Sequence, residues 1–392
     1  MHKPREIYWP TVTLWLNRCE ETHVRNCDKL LLDSAPPKIQ NRTYIDVQKQ
    51  SLVVRPYSCR YIALSYVWGR VPQLLLTSTN RDLLFVPGSL KTLEDSIPRV
   101  IRDAIQAVQS LDETLLWVDS LCIAQDDKSE KHVVISEMAS IYDRALATII
   151  AAHGENAEAC LPGVCQDSRI LDQDAKIPGT DIYISKRKNL GSLMRRSTYN
   201  RRGWTFQERL LSRRCLYFTG HQVFFECQEH LCSEDRLTLP LKSEDNEERS
   251  RRLFRSDNLI KSNLIEFGDP FASEEDRQLL RYSKIVEEYS RKQLSFSDDV
   301  LSAFAGIGTS LELLCNWTMV YGLPEQLLDR AILWEQKKNT LPREGYHSQF
   351  PTWSWSSWVG GIDYNEWTAS DIHIHHTQFE LGKFSWQGRQ VS

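Results

Sequence analysis

The sequence predicts an α/β domain built on a parallel sheet with flanking helices, followed by a mixed α+β C-terminal region. Three observations carry this prediction. Apolar runs at 61–68, 114–123 and 147–154 read as short strands. The segments between them repeat apolar residues at helical spacing. The apolar residues of the second run do not alternate with polar ones, so both faces of that strand should be buried, as in a parallel sheet.

Taken in order, residues 1–40 look peripheral. In "WLNRCEETHVRNC", Cys19, His23 and Cys27 recur every four residues and share one face of a helix. They are three soft candidate ligands, but a structural zinc normally needs four, in loop-type pairs. Helix packing is the plainer reading. "SAPPK" at 34–38 marks a break, and "RTYIDVQKQSLVVRPYS" alternates like a hairpin or edge strands.

After the strand "YIALSYVW", Ser96 is the expected N-cap of a helix, with Pro98 in its first turn. Ile97, Val100, Ile101, Ala104, Ile105 and Val108 form its apolar face. "TLLWVDSLCI" is the next strand. Asp127 and Glu130 resemble a capping box for a second helix, whose apolar face is Val134, Met138, Ile141, Tyr142 and Ala145. "ATIIAAHG" closes the unit. Strand, helix, strand, helix, strand is the order of a parallel sheet with right-handed crossovers.

Further on, 156–169 reads as a loop, and 199–227 as a helix followed by β-hairpin strands. The stretch 241–258 is dense in mixed charge and reads as an exposed linker or insertion. Residues 276–314 read as two helices, with Ser297 a cap for the second. "PTWSWSSWVGGI" reads as a β segment with a glycine turn, its Trp353, Trp355 and Trp358 serving as core.

Composition narrows the function classes. A net charge of −4 on 392 residues argues against nucleic-acid and membrane-surface binding. No apolar window approaches the ~18 residues of a membrane span, and the first ten residues do not resemble a signal peptide. Ten cysteines scattered along the chain suit free thiols in a reducing, cytoplasmic setting. No GxGxxG, P-loop, HExxH or GxSxG motif is present. That removes the usual support for dinucleotide oxidoreductases, nucleoside triphosphatases, zinc proteases and serine hydrolases.

In open α/β sheets, ligands bind beyond the carboxyl ends of the strands. Ser65, Tyr66, Trp68 and Gly69 follow one strand; Asp119, Ser120, Cys122 and Gln125 follow another. If the two strands are neighbours, these groups share an edge.

Five ordered motifs, "YIALSYVWG", "SIPRVIRDAI", "LLWVDSLCIAQDD", "ISEMASIYDRALATIIAAHG" and "RGWTFQERLLSRR", resemble those of the fungal heterokaryon incompatibility (HET) domain family. The likeness covers 61–208. It divides the chain into an N-terminal helix and hairpin extension (1–60), the HET domain (61–208) and a C-terminal α+β region (209–392). The early Cys-His-Cys run and the late "PTWSWSSW" look like parts that accompany this domain. The resemblance implies a role in non-self recognition between fused fungal cells, ending in programmed cell death. It also implies distant kinship with TIR domains, which have a flavodoxin-like fold. Some TIR domains cleave the glycosidic bond of NAD with a glutamate.

On that implication Glu137 and Glu130, on the helix after the second strand, are catalytic candidates. A carboxylate there would stabilise or attack a ribosyl cation; a solvated helix face is the plain alternative. Asp119 is a third candidate, or else an acceptor for loop amides. Ser65, Tyr66, Trp68, Gly69, Cys122, Gln125, Trp204 and Gln207 are ligand-binding candidates. Against them stand core packing for Cys122, loop capping for Gln125 and a domain seam for Trp204. Glu208 follows Gln207 in the same motif. Arg201 and Arg202 could meet a phosphate. No cofactor is firmly implied; NAD enters as a candidate substrate. A protein partner or self-association is expected, and a non-catalytic interaction scaffold is the third reading.

Overall fold

Ile62–Ser65 and Ala147–Ala151 are buried along their whole length, as strands covered on both faces must be. The computed structural model describes residues 6–32, 38–171, 175–176, 183–184, 188–235, 273–343 and 349–364. The charged segment at 241–258 lies outside them.

The main sheet has eight strands. A hairpin, β1 (Asn41–Asp46) and β2 (Ser51–Pro56), leads into β3 (Ile62–Ser65), β4 (Leu115–Trp117) and β5 (Ala147–Ala151). A two-stranded ribbon, β6 (Ala175–Lys176) and β7 (Tyr183–Ile184), stands apart. β8 (Cys215–Phe218), β9 (Val223–Glu226) and β10 (Leu231–Ser233) complete the main sheet. Its spatial order is β10-β9-β8-β5-β3-β4-β1-β2.

The central four strands, β8, β5, β3 and β4, are mutually parallel. Antiparallel hairpins flank them on both sides. Counted along the chain, the parallel strands lie in the order 2-1-3-4, the flavodoxin type, with a topological switch point between β3 and β5. The expected α/β class and C-terminal α+β region are both present. The sheet draws β1 and β2 from before residue 61, and β8 to β10 from after 208.

The helices that matter for the site and its surroundings are α1 (Trp9–Thr22), α2 (Val24–Cys27), α3 (Arg99–Ser110), α4 (Lys128–Ser136), α5 (Met138–Arg144), α6 (Gly203–Leu211), α7 (Glu274–Ser290) and α8 (Ala305–Cys315). The apolar face read for α3 is buried in full. Its cap is Pro98, while Ser96 ends a 3-10 turn before it, because the chain must extend through Ile97 and Pro98. Asp127 caps α4, accepting from the Ser129 and Glu130 amides. The helix expected after it is two, α4 and α5, divided at Glu137.

The larger of two apolar core clusters runs from the sheet into the C-terminal helices. Trp355 is its keystone there, 1 % exposed and edge-on to both Tyr289 and Phe304. Trp353 is on the surface instead, and Trp358 is half-buried. Ser297 opens a 3-10 turn and binds Arg343 rather than capping α8, whose N-cap is Phe304. Among the described residues no helix is long and apolar enough to cross a membrane.

Candidate functional site

β3 ends at Ser65 beside the switch point. Its hydroxyl lies 2.6 Å from the Tyr199 hydroxyl and donates to the carboxylate of Glu208, carried on α6. Tyr142 on α5 donates to the Leu64 carbonyl at 3.2 Å and also bonds Glu208. Tyr66 and Trp68, the first and third residues after the strand, turn to the neighbouring strand. Tyr66 bonds Ser120 at 3.1 Å and Gln73 at 3.2 Å. Trp68 donates its indole N–H to Asp119 Oδ2 at 2.8 Å. Asp119 opens a single helical turn directly after β4, and its Oδ1 accepts the Ser120 amide at 2.8 Å. Gly69 takes φ +68°, and a Cβ there would lie 2.3 Å from that of Asn156. A side chain at 69 would therefore push apart the two loops that meet at this edge.

The edge holds two carboxyl groups with little positive charge near them. Burial pushes Glu208 up to about 8, and the charge of Asp119 adds to the effect; bonds from Ser65 and Tyr142 only partly offset it. Burial likewise pushes Asp119 up to about 6, against its bonds from Trp68, Ser120 and Tyr66. At neutral pH, Glu208 is thus mainly protonated and Asp119 mainly ionised. Burial keeps Tyr66, Tyr142 and Tyr199 neutral, their hydroxyls raised well above the usual range. Trp68 and Asp119 retain part of their surface, whereas Ser65, Tyr199 and Glu208 are buried.

The structure brings together Ser65, Tyr66, Trp68, Gly69 and Asp119 from the sequence-read set. Gln125 joins them through its side-chain amide, which donates to the Asp119 carbonyl at 3.0 Å. Cys122 lies behind them. Its Sγ accepts the Val118 amide at 3.3 Å, and burial raises its thiol to about 12, a poor state for a nucleophile.

The other candidates lie elsewhere. Glu137 is buried against the hairpin side. It accepts the Lys38 and Ile39 amides and pairs with Arg42 at 2.9 Å. Glu130 pairs with Arg81 at 3.1 Å. Trp204 reaches Asp299 at 3.4 Å, and Gln207 accepts the Gly306 amide at 2.7 Å, so both join α6 to the C-terminal region. Glu208, Tyr199 and Tyr142 are the members that sequence reasoning did not assign to the site. One signal was legible: an acidic residue inside the apolar run "TFQERLL", on a helix buried from Thr205 to Leu211.

A cleft of 190 Å³ lies at the opposite, amino edge, lined by Asp28, Leu30, Tyr57, Ser58, Cys59, Arg144 and Arg213. Its Arg213 is held by the Arg144 and Ala145 carbonyls at 3.1 and 3.2 Å. This cleft and the two carboxyl groups are therefore on different edges. The carboxyl edge is where two carboxyl groups are raised to different extents.

Residues 61–208 match the family model described as "Heterokaryon incompatibility protein (HET)". Heterokaryon incompatibility protein 6, OR allele, of Neurospora crassa is 31% identical over 121 residues, which is 30% of this chain and 16% of that protein. The chain thus matches about a sixth of that relative's length. No solved structure gives a significant match.

Proposed function

We propose that this chain, which carries a domain of the heterokaryon incompatibility family over residues 61–208, acts in fungal vegetative incompatibility, with the carboxyl edge of its sheet as the effector surface. The observation that carries the reading is a coincidence of limits. Every member of the hydrogen-bonded cluster, from Ser65 to Glu208, falls within the matched residues. Regulated expression in a fungal host tests it. Wild-type protein should trigger growth arrest or cell death, and Asp119→Asn with Glu208→Gln should abolish the response at equal protein level. A response unchanged by both substitutions would move the effector surface elsewhere.

A second reading, TIR-like hydrolysis of NAD or a related nucleotide, is favoured by the paired carboxyls. Burial raises them to different extents, to about 6 and about 8, which leaves Asp119 the more readily ionised of the two. Asp119 would stabilise a ribosyl cation. Nicotinamide leaves as a neutral base and needs no proton; water adds to the cation and releases one proton to solvent, while Glu208, which accepts from Ser65, would hold that hydroxyl in place. NAD consumption by the purified full chain is the assay, and Asp119→Asn should lower it about 100-fold or more. Absence of turnover from folded protein would remove this reading and favour an effector that works by binding a partner.

A further inference from the structure

The amino edge holds a cluster that neither reading uses. Cys19 lies in the last turn of α1, His23 between α1 and α2, and Cys27 at the end of α2. Cys227, 200 residues further along, follows β9 in the turn to β10. One ligand atom from each of the four lies within 4.8 Å of all the others. His23 Nδ1 is 3.5 Å from Cys227 Sγ. Around a tetrahedral zinc, Zn–S and Zn–N bonds of about 2.3 and 2.0 Å would separate sulfur and nitrogen by about 3.5 Å.

N–H donors surround the sulfurs. Arg214 Nε donates to Cys19 Sγ at 3.1 Å, and the His230 amide donates to Cys227 Sγ at 3.3 Å. The backbone of Gln228 bonds Cys27. Each sulfur therefore has an N–H directed at it. Three buried sulfurs so close together cannot all carry charge without a cation among them. The three cysteines are 0–1 % exposed, and His23 forms the half-buried rim with its ring against that of His230. Arg214 is held in turn by Asp28 at 2.5 Å, so a residue outside the ligand set is fixed in place.

We propose that Cys19, His23, Cys27 and Cys227 form a structural zinc site that clamps the N-terminal helices onto the β9–β10 edge of the sheet. Three thiolates and one imidazole select zinc among common divalent ions. Four protein ligands close the coordination sphere, so the site stabilises rather than catalyses. Zinc with three thiolates leaves one negative charge, which the Arg214 guanidinium faces.

The test is metal analysis of the full chain, purified under reductant without chelator. About one zinc per chain is expected. Replacement by cobalt should give the visible bands of a tetrahedral ion and the near-ultraviolet absorption of thiolate–cobalt bonds. Cys227→Ser should lose the metal, and Arg214→Gln should weaken it about 10–100-fold. Cys160→Ser, outside the cluster, should keep one zinc. If Cys227→Ser does not fold, the wild-type cobalt spectrum decides alone. Folded, reduced wild type that takes up neither zinc nor cobalt would overturn the proposal. So would a disulfide between any two of the three cysteines in the purified protein.

Discussion

The two edges of the central sheet solve the same problem, burial of ionisable groups, in opposite ways. At the amino edge, guanidinium and amide donors face each buried sulfur. At the carboxyl edge, Glu208 and Asp119 are met by hydroxyls, an indole and one amide, and by each other's charge. A buried acid with a cationic partner is a structural anchor. A buried acid without one retains its proton to unusually high pH and stays chemically poised. Glu137 and Glu208 make the contrast within one residue type. Both are buried, but Glu137 has Arg42 and two backbone amides, whereas Glu208 has only hydroxyls as donors.

The contrast can be broken by substitution. The largest effect is expected from Glu137→Ala. It strands the buried Arg42 guanidinium and the Lys38 and Ile39 amides, and should cost about 3–5 kcal/mol in chemical denaturation. A loss below about 1 kcal/mol would mean that Glu137 is not the anchor described.

Glu208→Gln should act differently, through pH. The folded carboxyl, raised from 4.5 to about 8, retains a proton that the unfolded chain sheds. Wild-type stability should therefore be highest below 4.5 in this group's contribution, and fall by a few kcal/mol as pH climbs toward 8. Glutamine removes that slope, so the variant should gain on the wild type in alkaline buffer. Parallel stability profiles for the two proteins would show instead that Glu208 has an ordinary carboxyl.

Gly69→Ala tests the loop contact that shapes the carboxyl edge. The positive φ and the 2.3 Å approach to Asn156 together predict a loss of about 1–3 kcal/mol. Thermal unfolding beside Gly88→Ala separates the two terms, because Gly88 shares the positive φ and has nothing within 4 Å of its added Cβ. The smallest effect should come from Asp127→Ala, which removes the cap of α4 and should cost about 1 kcal/mol in the same measurement.

Much of the fold was legible because its signals are local. The uninterrupted burial of β3 and β5, the helical stripe on α3 and the Asp127 cap all lie within short windows of sequence. Part of the site was legible too, since Ser65 and Asp119 stand where apolar strands end. The break between α4 and α5 was not. It falls at Glu137, which is held by partners about a hundred residues upstream. For the same reason the Cys-His-Cys spacing looked like three ligands rather than four.

By itself, the sequence determined most of the order of elements, the parallel sheet and the polar residues that follow its strands, because periodicity and strand ends are properties of neighbouring residues. Only the tertiary structure decided which glutamate is an anchor and which has no ion-pair partner among the described residues, and that Cys227 completes the set begun by Cys19. The charge state of an acid and the ligand count of a metal site depend on what the rest of the chain brings within a few ångströms, and no local pattern records that.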